Sequence, residues 1–172
     1  MAKRFRDTKP RLKGWDYSRP GLYFITMVTH ERQCIFGEIQ AGRVVYSPMG
    51  EIVKDEWLRS FDLREELFCH DWVIMPNHIH AIMEIKKIPD KKPVIKNPGI
   101  AYRPSRSISS IVAGFKSATT KRINQYRNTP GAGVWQARFH DHIIRDDAGY
   151  QKIREYIQTN PRHWRDDRFH CR

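Results

Sequence analysis

The stretch from Leu67 to Ile85 constrains the fold more than any other part of the chain. It reads as two β-strands joined at Pro76-Asn77, because side chains on a strand alternate between faces and a proline-asparagine pair marks a turn. In the second strand Ile79, Ala81, Met83 and Ile85 share one face and suit a core, while His78, His80, Ile82 and Glu84 share the other. Two imidazoles one residue apart on a strand point the same way, which is a geometry for holding a metal. A His-x-His pair by itself more often satisfies backbone carbonyls. The argument therefore needs a second constellation, and Tyr156-Ile157-Gln158-Thr159-Asn160-Pro161 supplies it.

Around this pair the elements follow in order. Leu22–His30 is dense in β-branched and aromatic residues and predicts a buried strand, and 37–46 predicts a small hairpin turning at Ala41-Gly42. Ser47-Pro48 opens a helix with a capping hydroxyl and a proline in the first turn, and Met49, Ile52, Val53 and Trp57 fall on one face. A second helix is expected over 107–124, with Ile108, Ile111, Val112, Phe115 and Ile123 inward. A last strand is expected over 139–145, followed by a helix that Asp146 or Asp147 caps and Pro161 ends. Tyr156 and Asn160, spaced i and i+4, lie on one side of that helix beside the apolar stripe of Tyr150, Ile153 and Ile157. The order strand, helix, strand, strand, helix, strand, helix predicts an α+β fold. The sheet is antiparallel, of the ferredoxin-like or RNA-recognition type, with helices packed on one face.

The organisation is that of one domain, residues 21–161, between a basic arm, 1–20, and a basic tail, 162–172. An exposed basic loop rich in proline and lysine is expected at about 86–104. A chain of 172 residues buries a sufficient core without disulfides, and the three cysteines, Cys34, Cys69 and Cys171, have neither zinc-ribbon nor disulfide-framework spacing. With no apolar run of membrane-spanning length, the expectation is a soluble protein of a reducing cytoplasm, with no membrane partner and associated with the nucleoid. The formal charge of +12 draws the molecule to a polyanion, and nucleic acid is the commonest in that compartment.

Four stretches then resemble one family: Tyr23-Phe24-Ile25-Thr26, Trp72 to His80, Trp135 to Arg145, and Tyr156 to Pro161. In that order and spacing the chain resembles the single-tyrosine HUH transposases, and within them the REP-associated tyrosine transposases of bacteria. The resemblance implies an HUH nuclease fold, with His78 and His80 as metal ligands, Asn160 at the third ligand position and Tyr156 as the nucleophile. It implies single-stranded or hairpin DNA as substrate and a 5′-phosphotyrosine intermediate with a free 3′ hydroxyl, and it admits a homodimer. The metal it implies is magnesium or manganese; by ligand type alone, two imidazoles and an amide oxygen favour manganese over magnesium and tolerate zinc.

A phosphodiester is shielded by its own charge, so a cation that polarises the phosphoryl oxygen is what the chemistry asks for. A tyrosine with an ordinary pKa near 10 also needs help in losing its proton. Lys116, Lys121, Arg122, Arg138 and Arg145 are the candidates for backbone contacts to DNA. Two other classes compete. A non-catalytic nucleic-acid-binding module on the same fold uses the charge and the aromatics but has no need of His78, His80 and Tyr156 together, and the glycine-aromatic signature of an RNA-recognition strand is missing. A histidine-triad nucleotide hydrolase would place a third histidine where Ile82 stands.

Overall fold

The computed structural model describes residues 15–87 and 107–171. Most of the expected basic arm and of the 86–104 loop therefore lies outside the described residues. The elements are β1 (Gly21–Val28), a 3-10 turn at His30–Arg32, β2 (Gly37–Gln40), β3 (Arg43–Tyr46), α1 (Pro48–Asp62), β4 (Leu67–Met75) and β5 (His78–Ile85). They continue with α2 (Ile108–Arg127), β6 (His140–Ile144), α3 (Asp147–Thr159) and a second 3-10 turn, Asn160–Asp166. β2 and β3 form a separate hairpin, and the main sheet runs β4-β5-β1-β6 with every neighbouring pair antiparallel. Its four strands, counted in chain order, lie 2-3-1-4, the ferredoxin-like arrangement in the α+β class that the sequence predicts.

Local chemistry explains the boundaries. Ser47 Oγ accepts from Gly50 N at 3.1 Å, Ser107 Oγ from Ser110 N at 3.2 Å and Asp146 Oδ1 from Gly149 N at 2.7 Å, so each helix begins on a side-chain cap. α2 runs past the expected Asn124 to Arg127, because Asn128 takes the left-handed conformation (φ 53°) that closes a helix. Ala41 and Gly42 both have positive φ, 48° and 72°, which matches the twist of a two-residue hairpin turn.

One face of the sheet, with Tyr23, Ile25, Met27, Ile79, Ala81 and Met83, packs against α1 and α2. Trp57 is wedged there between Phe61 and Phe115, with centroids at 5.1 and 5.2 Å. Fully burying each large apolar side chain contributes about 1.5–3 kcal/mol, so this layer is the main source of stability. α3 takes the opposite face, where Phe24, Ile82 and Ile144 meet Ile153 and Ile157. The expectation of helices on one face thus describes α1 and α2, and α3 is the departure. The histidine-bearing face needs its own cover, and the apolar stripe of α3 provides it.

That second layer is thin, and polar bonds complete it. The register slips between Cys69 and Trp72, which pair with Met83 and Ala81 and so leave one extra residue in β4. This bulge lets the neighbours His70 and Asp71 both serve α3. His70 bridges Tyr150 (3.3 Å) and Glu84 (2.9 Å), and Asp71 pairs with Arg154 (3.3 Å) and Gln158 (2.9 Å).

The tail folds back over the His78 end of the sheet. Trp164 and Phe169 are buried with Val28 and Met75. Cys34 and Cys171, far apart in sequence, stand in disulfide contact with Cα atoms 6.4 Å apart. Spacing along the chain gave no sign of this contact, which tertiary folding makes between residues 137 positions apart. Among the described residues, no helix is long and apolar enough to cross a membrane.

Candidate active site

Asn77 and Thr26 set the two imidazoles. The Asn77 amide nitrogen donates to the carbonyls of Arg32 (2.9 Å) and Phe169 (2.6 Å), so its Oδ1 is left as an acceptor facing His78 Nδ1 at 2.8 Å. The Nδ1–H of His78 must then be the donor, and Nε2 carries the lone pair. His80 lies opposite Thr26 in the β1–β5 register, with Nδ1 at 2.8 Å from Thr26 Oγ1, and its ring stacks on Phe24. The two imidazole centroids are 4.5 Å apart, and both rings are fully buried.

Both imidazoles are neutral. Burial pushes His78 down to about 3, helped by Arg168, and burial together with His78 holds His80 well below the ordinary range. A neutral imidazole is the form that binds a metal.

α3 brings Tyr156 and its neighbouring turn brings Asn160. The Tyr156 hydroxyl lies 3.1 Å from His80 Nε2 and 3.4 Å from Asp167 Oδ2, and the same carboxylate oxygen accepts from Asn160 Nδ2 at 3.1 Å. Burial and the Asp167 charge push the Tyr156 phenol far above its usual pKa. It is a poor nucleophile until something takes its proton.

Two buried polar atoms here have no partner, His78 Nε2 and Asn160 Oδ1. An unmade hydrogen bond of this kind costs about 1–3 kcal/mol, and both atoms are lone-pair donors of the type a divalent cation takes. One ligand atom from each of His78, His80 and Asp167 falls within 4.8 Å of the others. The residues present therefore fit a metal, and they include an anionic ligand that sequence reasoning did not find. Asp167 sits in the segment read only as a basic tail. The 3-10 turn after α3 swings it back, and its Oδ1 is fixed by Phe169 N at 2.7 Å.

No protein-family model matches the chain. An uncharacterised protein of Haemophilus influenzae is 34% identical over 165 residues, covering 93% of this chain and 91% of the relative. A second protein of that organism, provisionally named a REP-associated tyrosine transposase, is 27% identical over 148 residues, covering 85% of this chain and 73% of the relative. Among solved structures, a REP-associated tyrosine transposase bound to a REP hairpin shares the fold, with a TM-score of 0.61 at 19% identity over 90% of this chain and 72% of the other. The chain resembles the REP-associated tyrosine transposases. That resemblance supports a role in DNA processing.

The chain gathers four of its sequence-identified groups, His78, His80, Tyr156 and Asn160, at one place, and it scatters the basic ones. Lys116 is spent internally, donating to the carbonyls of Gln136 (2.8 Å) and Arg138 (3.0 Å), and burial pulls it down to about 8. Arg122 pairs with Glu56 (2.8 Å) and Asp55 (3.5 Å) and so ties α2 to α1. Lys121, Arg138 and Arg145 are exposed. Trp135 is core, donating from Nε1 to Thr119 Oγ1 at 2.8 Å between Phe36 and Phe115.

Proposed function

We propose that this protein is a metal-dependent single-strand DNA nuclease and strand transferase, cleaving DNA that contains a hairpin. Tyr156 forms the covalent link, in transposition or in the processing of REP elements. What supports the reading above all is the meeting of the Tyr156 hydroxyl with His80 Nε2 at 3.1 Å beside the unpartnered His78 Nε2 and Asn160 Oδ1. The DNA class follows from the family resemblance and from the charge of +12.

His78, His80 and Asn160, with the Asp167 carboxylate beside them, would hold the magnesium or manganese ion, whose chemistry is to polarise a phosphoryl oxygen and offset its developing charge. The rest belongs to the chain. Asp167 Oδ2, in reach of the phenol, takes the Tyr156 proton as the phenolate oxygen bonds to phosphorus. The phosphorus–oxygen bond to the neighbouring sugar breaks, a 3′ hydroxyl departs with a proton from solvent, and the 5′-phosphate stays on Tyr156. Attack by a 3′ hydroxyl on that ester reverses the sequence and rejoins DNA without ATP. Asn77 holds the tautomer of His78 and Thr26 the orientation of the His80 ring, and α3 presents the nucleophile on its own chain's sheet.

The test incubates purified protein with labelled single-stranded hairpins from DNA flanking its own gene, with manganese. A denaturation-resistant adduct mapped to Tyr156 by mass spectrometry is the expected result. Binding without an adduct over several hairpins and metals would overturn the proposal in favour of a non-catalytic module.

A further inference from the structure

We infer that the groove between α2 and the segment 129–137 is a subsite for unpaired nucleotides of the DNA substrate, separate from the Tyr156 centre. The inference rests on the DNA-processing reading above. The groove is a cavity of about 790 Å³, inside the range of about 300–1,000 Å³ usual for small-ligand sites.

One wall is a helical stripe. Ser117, Lys121 and Gln125 recur at steps of four along α2, with Thr120 three after Ser117 and the C-cap Asn128 three after Gln125, so they face the groove together as a polar, mostly uncharged row. A solvated helix face in so basic a chain would be expected to carry mixed charge, whereas this one offers hydroxyls and amides with two lysines, of which Lys116 is already bonded to the carbonyls of Gln136 and Arg138 and Lys121 is left to meet a ligand. The side chains of Ser117, Thr120, Lys121, Gln125 and, from the opposite wall, Gln136 make no hydrogen bond or ion pair among the described residues. The floor is apolar, formed by Val134 and the edge of Trp135.

Amide groups that both donate and accept, above an apolar floor and beside a lysine, are what a single nucleotide needs. The base edge bonds to amides, its face lies on apolar surface, and its phosphate meets the cation. A duplex stem would not use them in this way, because its base edges are already paired.

The groove is also held open in advance. Asn124 Nδ2 donates to Ala132 O at 2.8 Å, Trp135 Nε1 to Thr119 Oγ1 at 2.8 Å, and Lys116 Nζ to the carbonyls of Gln136 and Arg138. Both ends of the far wall are thus stitched to α2, so a ligand pays little to order it. Gln136 N donates to Val28 O at 2.9 Å, and Val28 pairs with His78 on its other side. Two strand spacings, about 10 Å, separate that wall from the His78 backbone. A single strand passing round this end of the sheet can occupy the groove and still reach Tyr156 on the far face.

The test uses Gln125→Ala with Gln136→Ala, which removes no charge. Two probes are titrated at one fixed salt concentration by fluorescence anisotropy: a hairpin carrying an unpaired flank, and the same stem with blunt ends. Affinity for the flanked hairpin should fall about tenfold, with the blunt stem unchanged and thermal stability retained. Equal affinity of variant and wild type for the flanked probe, or equal loss on both probes, overturns the subsite. Wild-type protein with 5-iodouracil at each unpaired position gives a reading that needs no variant: crosslinks should map to 130–137, and crosslinks confined elsewhere refute the inference. A Tyr156 adduct without groove crosslinks leaves the proposed activity standing and removes the subsite; groove crosslinks without an adduct do the reverse.

Discussion

Thr26→Val tests whether the His80 ring is held in place by the sheet for metal binding. Thr26 is buried in β1, and its Oγ1 lies 2.8 Å from His80 Nδ1. Valine keeps the shape and the strand preference, so the change removes one hydrogen bond and little packing. His80 Nδ1 is then buried without a partner, at a cost of about 1–3 kcal/mol, which for a domain of this size lowers Tm by about 2–12 °C. The larger effect should be on the metal. Removing the partner that orients a ligand typically costs about 10–100-fold in metal affinity, because ring orientation is no longer set. Isothermal titration of manganese into the metal-free protein reads the affinity, and scanning calorimetry reads the stability. A variant less stable by the stated amount that binds manganese within twofold of wild type would refute the reasoning, since the Thr26 contact would then be a packing detail.

Further outcomes are expected at other positions. Tyr156→Phe should abolish the covalent adduct while DNA affinity stays within about twofold, read by denaturing gel and anisotropy, because only the nucleophilic oxygen is lost; cleavage that survives would place the nucleophile on another residue. His78→Ala with His80→Ala should remove calorimetric manganese binding along with cleavage, and unchanged affinity would refute the ligand assignment. Arg122→Ala should destabilise the fold by about 1–3 kcal/mol in urea titration, by leaving the largely buried Glu56 carboxylate only its long 3.9 Å pair with Arg59, with little change in DNA affinity; the opposite pattern would make Arg122 a DNA contact. Cys69, whose thiol burial pushes up to about 12, should resist iodoacetamide in the native protein at pH 8 and react once it is unfolded.

The sequence was most legible where a local rule acts. Alternation exposed the two faces of β5, and the serine and aspartate caps marked the starts of all three helices. The i, i+4 spacing of Tyr156 and Asn160 brought both to the histidine pair. Asp167 was hidden because its place depends on a turn after α3 and on Phe169 packing against His78, contacts between residues far apart in sequence. The same holds for Lys116 and Arg122. Their spacing puts them on the outside of α2, but the carbonyls of 136–138 and the acids of α1 meet them there. The bulge in β4 was equally invisible, since an extra residue in a strand shows only against its partner.

The order of the elements along the chain has a consequence for synthesis. All four strands of the main sheet, the histidine pair and α2 precede α3, while Tyr156, Asn160 and Asp167 all follow β6. Chains emerge from the ribosome N-terminus first, at about 5–20 residues per second. On the proposed reading, a nascent protein holds the histidine pair before it has Asn160 and Asp167 to complete the cation site, or the oxygen that attacks. On that reading the capacity to break a strand is the last property to arrive, and an interrupted translation product that ends after Ile144 would have two cation ligands and no means of cutting.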